Sequence, residues 1–113
     1  MEELELISFE IISNVGTARS CYIESMRLAK AGDFEGAMAK IEAGDTAFND
    51  GHTSHMKLLR VDQKSPMGLL VMHAEDQLMS AETFKIMAME FIDMYKKVSV
   101  LEEKIGESKV YKE

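Results

Sequence analysis

Apolar positions recur every three or four residues in three long stretches of this chain, with charged residues between them. That period belongs to a helix with one buried face. In the first stretch, Leu4 to about Ala31, the stripe is Leu4, Ile7, Ile11, Val15, Ala18, Tyr22, Met26 and Ala29. Glu2, Glu3 and Glu5 stand at the positive end of its dipole, and Arg27 and Lys30 at the negative end. Gly32 is expected to close it as a C-cap. Gly16 lies inside and costs roughly 1 kcal/mol relative to alanine. Close approach of another backbone and simple tolerance explain it equally well.

Asp33 is placed to cap a second helix that ends near Arg60. Its expected stripe is Phe34, Met38, Ile41, Phe48, His55 and Leu59, with Ala37 and Gly44 beside it, and Glu35, Lys40, Glu42 and Asp50 on the opposite face. The segment Val61 to Pro66 holds the only proline and reads as a turn before a third helix. That helix is expected to run from near Pro66 past Tyr95 to Ile105. Its main stripe is Leu70, Ala74, Gln77, Ala81, Phe84, Ala88, Phe91, Tyr95 and Val98. A second apolar set, Leu69, Met72, Met79, Ile86, Met87 and Met94, lies outside that stripe.

No strand alternation and no internal repeat is found. Three long helices joined by short turns give an all-α, antiparallel up-down-up three-helix bundle over residues 1–105, followed by a polar tail, 106–113. One stripe suffices to pack helix three on two neighbours. The second set has no partner within the chain, so self-association through helix three is expected, with closed cyclic symmetry.

Composition narrows the function classes. The length of 113 residues fits one domain, and 46% hydrophobic content supports a packed core. A net charge of −7 argues against nucleic acid as a partner and suits basic partners. The single Cys21 forms no internal disulfide, no run is long enough to span a membrane, and the N-terminus is acidic where a signal peptide is basic. The expectation is a cytoplasmic protein without membrane insertion. Ten methionines and no tryptophan read as an adaptable helical core.

Candidate chemistry centres on Val71-Met72-His73-Ala74-Glu75-Asp76-Gln77-Leu78-Met79. His73 and Asp76, at i and i+3, share one helix face in an apolar surround. Helices two and three are antiparallel, so His52 and His55 should lie at a height similar to His73. Three readings fit these residues. His73 and Asp76 can be a structural hydrogen-bonded pair. A neutral His73 imidazole can act as a nucleophile toward phosphorus or as a proton carrier. His52, His55, His73 and Asp76 can supply metal ligands, although no zinc motif matches their spacing. Glu75 is expected to face solvent. The glycines form no phosphate loop, Ser20 and Ser80 lack a triad context, and Cys21 has no basic neighbour in its own turn.

Those nine residues resemble the phosphorylation-site segment of the enzyme IIA component of the lactose/cellobiose (N,N'-diacetylchitobiose) class of the bacterial sugar phosphotransferase system. Gly16-Thr17-Ala18-Arg19-Ser20, Ala31-Gly32-Asp33-Phe34 and Ala47-Phe48-Asn49-Asp50-Gly51-His52 are similar to that family in the same order. The likeness covers about Leu6 to Val98. It implies a three-helix bundle assembled as a homotrimer. It also implies a phosphohistidine carrier that is charged by the general histidine-containing phosphocarrier protein and discharges to a cysteine of the cognate enzyme IIB. His73 aligns with the phosphorylated histidine. Asp76 aligns with an aspartate that meets its symmetry mates and binds a metal, magnesium, one ion per trimer on the symmetry axis. The family usually has histidine where this chain has Gln77, and glutamine where it has His55. A swap that keeps one imidazole and one amide beside His73 is expected, with His52, His55 and Gln77 in supporting roles. No Lys or Arg lies in the segment, so charge compensation is expected from a partner. Sugar choice rests with the membrane component and enzyme IIB. The competing class is a non-catalytic helical interaction module or a metal-binding trimer scaffold.

Overall fold

A computed structural model describes residues 3–58, 60 and 68–110, with side chains described up to residue 106. It contains α1 (Glu3–Lys30), α2 (Phe34–Leu58) and α3 (Leu69–Val110). The α1–α2 junction follows from local hydrogen bonding. Gly32 takes a φ of 89°, open to glycine at little cost. The Asp33 N–H then donates to the Leu28 carbonyl and the Gly32 N–H to that of Ala29, closing α1 in a Schellman motif. Asp33 caps α2 at once, its Oδ1 accepting from the Gly36 N–H at 2.9 Å. The expected turn Val61–Pro66, and Leu59 of the α2 stripe, lie outside the described residues.

Cross-helix contacts fix the directions. Glu10 meets Lys57 and Glu24 meets Lys40, so α2 runs opposite to α1. His55 meets Glu75, Asp45 meets Lys85 and Phe34 lies under Lys96, so α3 runs opposite to α2. The up-down-up order is as expected. One node joins all three helices: the Tyr22 hydroxyl on α1 donates to Asp45 Oδ1 on α2 at 2.7 Å, and Lys85 Nζ on α3 lies 2.9 Å from the same oxygen. Burial first, and the Asp45 hydrogen bond second, hold the Tyr22 phenol far above its ordinary value of 10.0. The stability this neutral phenol contributes is complete below that value and is lost only as pH climbs beyond it.

Of the expected α1 stripe, Ile7, Ile11, Val15, Ala18, Tyr22 and Ala29 are buried and Leu4 and Met26 half-buried, and Ser8 and Ser25 join it, fully buried and donating to the carbonyls of Leu4 and Tyr22. The α2 stripe is corrected. Its buried line is Ala37, Ile41, Gly44, Ala47, Gly51, Ser54 and Leu58, and Phe34, Met38, Phe48 and His55 flank it half-buried. Small residues occupy the centre because α1 approaches closely there. A Cβ built on Gly44 would stand 2.6 Å from Cε1 of the fully buried Tyr22 ring. Gly44→Ala is therefore expected to destabilise the fold by about 1–3 kcal/mol despite alanine's helix propensity, read as a lower midpoint in urea or heat. Gly16 is the opposite case. It is exposed and a Cβ there meets nothing within 4 Å, so close approach is not its reason. Gly16→Ala should raise stability by roughly 1 kcal/mol in the same assay.

On α3 the fully buried line is Val71, Ala74, Ala81, Ala88 and Ile92, with Leu70, Gln77, Phe84, Phe91 and Tyr95 half-buried beside it. The second apolar set stays exposed, Leu69 at 81% and Met79 at 69%. With 42 residues, α3 is about 63 Å long and outruns both neighbours. It passes through Gly106 without a break, so the helix ends beyond the expected Ile105. Val98, expected at the end of the main stripe, is exposed instead, and Leu101 and Ile105 continue the exposed apolar face along this overhang.

Candidate functional site

His73 lies on the second turn of α3, exposed to solvent, with Ala74 behind it fully buried. Val71, Ala74 and Ala81 pack into the core cluster of Ile7, Ile11, Val15 and Leu58, which makes the helical turn under His73 a rigid platform. An open depression lies beside it, lined by Leu69, Leu70, Met72, His73, Glu75, Asp76 and Met79. Asp76 is exposed on the unpartnered apolar face, one turn from both Met72 and Met79. His73 thus stands at the border between the core-facing line and that face.

The histidines share a height but not a side. His55 Nε2 lies 2.9 Å from Glu75 Oε1, level with the turn that carries His73. A carboxylate only accepts, so Nε2 carries the proton in this pair. Glu75, however, leaves the helix about 200° around from His73. It turns to α2 rather than to solvent, which corrects the expectation for it. His55 Nδ1 is buried with no hydrogen-bond partner among the described residues, and the His52 ring lies 6.2 Å from the His55 ring. The expected meeting of His55 with Gln77 does not form, because Gln77 faces α1. Its Oε1 accepts from Arg19 Nη1. Arg19 in turn lies 5.1 Å over the Phe84 ring.

This brings a cation to the site that the linear segment lacks. Gln77 follows His73 by one helical turn on the same flank, so the Arg19 guanidinium is part of the same neighbourhood. The signal was present in the sequence only as an arginine in α1, with nothing local to say where it pointed. A single-chain metal site is not formed: among the described residues no three His, Cys, Asp or Glu side chains converge on a common point, and His52, His55, His73 and Asp76 are not gathered. One chain offers Asp76 as a hard oxygen donor on that face, of the type that suits magnesium.

Residues 6–96 match the family described as the lactose/cellobiose-specific IIA subunit of the phosphotransferase system. The chain belongs to that family. It is 38% identical to the lichenan-specific phosphotransferase enzyme IIA component of Bacillus subtilis, over 87% of this chain and 92% of that one. It is 33% identical to the N,N'-diacetylchitobiose-specific EIIA component of Escherichia coli, over 86% of each. Among solved structures, the cellobiose-specific enzyme IIA of Bacillus anthracis superposes with a TM-score of 0.83 at 36% identity, covering 88% of this chain and 94% of that one. The E. coli IIA(chitobiose) chain, solved in complex with HPr, gives 0.76 at 31% identity, covering 88% and 99%.

As a IIA subunit this protein is a phosphotransferase component of a sugar-transport system. Among the described residues no helix is long and apolar enough to cross a membrane. In this IIA chain Gln77 and His55 are each engaged by a residue of another helix, Arg19 at the amide oxygen and Glu75 at the imidazole Nε2.

Proposed function

We propose that this chain is a cytoplasmic phosphohistidine carrier. His73 accepts a phosphoryl group from the general histidine-containing phosphocarrier and passes it to a cysteine of the cognate enzyme IIB. The carrying observation is His73 itself: an exposed imidazole on a rigid helical platform, flanked by the Gln77 amide and open to an approaching protein. A neutral imidazole nitrogen attacks phosphorus as the donor's N–P bond breaks. The new N–P bond stays reactive enough for a thiolate to take the group onward. Positioning and charge stabilisation do most of the work in such transfers. His52 and His55 form the α2 rim of the same end of the bundle and belong to the surface offered to these partners.

The functional unit in this reading is a homotrimer closed by the exposed face of α3. Leu69, Met72, Met79, Ile86, Met87 and Met94 form a mainly apolar face, with Thr83 and Glu90 within it, that one chain leaves in water, which supports burial against copies of itself. Asp76 sits on that face, so three copies bring three carboxylates together in a dry setting. Like charges there repel strongly. A magnesium ion held by the three Asp76 carboxylates would offset most of that charge. It fits the hard oxygen donor, while one chain alone assembles no metal cluster among its described residues.

The assay is incubation of the protein with phosphoenolpyruvate, enzyme I and the general phosphocarrier. The expected product carries one additional phosphoryl mass, lost in acid, on His73. No mass gain under conditions that charge the phosphocarrier sinks the carrier reading and leaves a helical interaction module or metal-binding scaffold.

A further inference from the structure

Arg19 has no part in the transfer as described so far. It is half-buried on α1, with its guanidinium over Phe84 and its Nη1 donating to Gln77 Oε1. Arg19 Nε is buried with no hydrogen-bond partner among the described residues. The ring stack and the burial restrict the guanidinium to this pose. A guanidinium has donors and no acceptor, so the amide prong that meets it must be the oxygen. The Nε2 hydrogens of Gln77 are thereby turned to the other side. Side chains on a helix lean toward its N-terminus, which carries the Gln77 amide toward the turn that holds His73.

We propose that Arg19 is a positioning residue for phosphoryl transfer: by holding Gln77 Oε1 it aims the two Nε2 hydrogens at the His73 flank, where they donate to the phosphoryl oxygens. The inference rests on His73 being the phosphoryl acceptor. In the step, the donor's N–P bond breaks and leaves its electron pair on the donor nitrogen, while the His73 lone pair forms the new N–P bond. Charge is spread over the three equatorial oxygens, where preorganised donors act. An imidazole at position 77 can play the same part, accepting from Arg19 at one nitrogen and donating from the other. A carboxylate cannot, because it only accepts.

Three variants of the full chain test this: Gln77→Glu, Arg19→Gln and Gln77→His. The readouts are single-turnover transfer from the phosphorylated general phosphocarrier, the thermal midpoint, and the Gln77 side-chain amide resonances by nitrogen-15 NMR. Gln77→Glu keeps a partner for Arg19 and removes the donor. Its midpoint should hold or rise while transfer slows about 100-fold. Arg19→Gln should slow transfer by about 10- to 100-fold and move the Gln77 amide signals to the position of a free glutamine. Gln77→His should keep most of the rate, and lose it when combined with Arg19→Gln. Full-speed transfer in Gln77→Glu overturns the role of Arg19 and leaves His73 as acceptor. That variant decides the matter even where Arg19→Gln fails to fold. No labelling of the unaltered protein overturns the acceptor reading, and this inference with it.

Discussion

His73→Ala is expected to abolish phosphoryl acceptance while the bundle stays folded. His73 is exposed and makes no hydrogen bond that the core depends on, whereas its neighbours Ala74 and Val71 carry the packing. Alanine is also the better helix former. The change in stability should therefore stay within about 0.5 kcal/mol, the ordinary range for a surface position. The chemistry has no substitute. His52 and His55 lie on the α2 side, and His55 is engaged with Glu75. Mass spectrometry after incubation with the charged phosphocarrier, alongside a thermal melt, checks both halves. A phosphoryl mass that persists in the alanine variant rules out His73 as the acceptor. A lost melt would mean that His73 supports the fold.

If the proposed trimer forms, Met94→Glu is expected to convert it to a monomer, the largest effect at the α3 face. Met94 lies 18 residues beyond Asp76, five full turns, on the same line of the helix. It is 59% exposed in the single chain, so the chain's own core is left as it was. In the proposed trimer the substitution would place three more carboxylates at the contact between copies. An unpaired charge buried in this way costs about 3–5 kcal/mol. Asp76→Leu is the matching control. On the proposed arrangement it replaces repelling carboxylates with apolar contact, so it should hold or strengthen the assembly and make it insensitive to a chelator. Sedimentation equilibrium with and without a chelator reads both variants. A Met94→Glu protein that stays trimeric, or an Asp76→Leu protein that falls to monomer, contradicts the placement of this line on the symmetry axis.

The α1–α2 boundary was legible because it is written in local chemistry, whereas the end of α3 was not. Gly32 and Asp33 settle the α1–α2 junction through hydrogen bonds that reach no further than five residues along the chain. The exposed second line of α3 was legible for a similar reason, since periodicity alone shows more apolar surface than one helix face can bury. Helix two was misjudged. Weighting by hydrophobicity favours Phe34, Met38 and Phe48, whereas the contact with α1 is built on Gly44, Ala47, Gly51 and Ser54. Small residues carry little apolar signal, and they occupy the seam because they let two helices come close.

His73 and Asp76 could be singled out from the sequence, because i and i+3 on a helix fix a shared face and the family segment marks the pair. The level of His55 also followed from antiparallel register, since rise per residue is fixed. Its side did not. Whether His55 turns to Glu75 or to Gln77, and whether Arg19 reaches Gln77, depends on how each helix is rotated about its own axis. That rotation is set by the summed packing of all three helices, through the Tyr22–Asp45–Lys85 node and the small-residue seam. The sequence by itself therefore determined three helices, their order, the face shared by His73 and Asp76, and the surplus apolar face. Only the tertiary structure decided which groups surround His73, because contacts between residues dozens of positions apart have no local hydrogen bond to announce them.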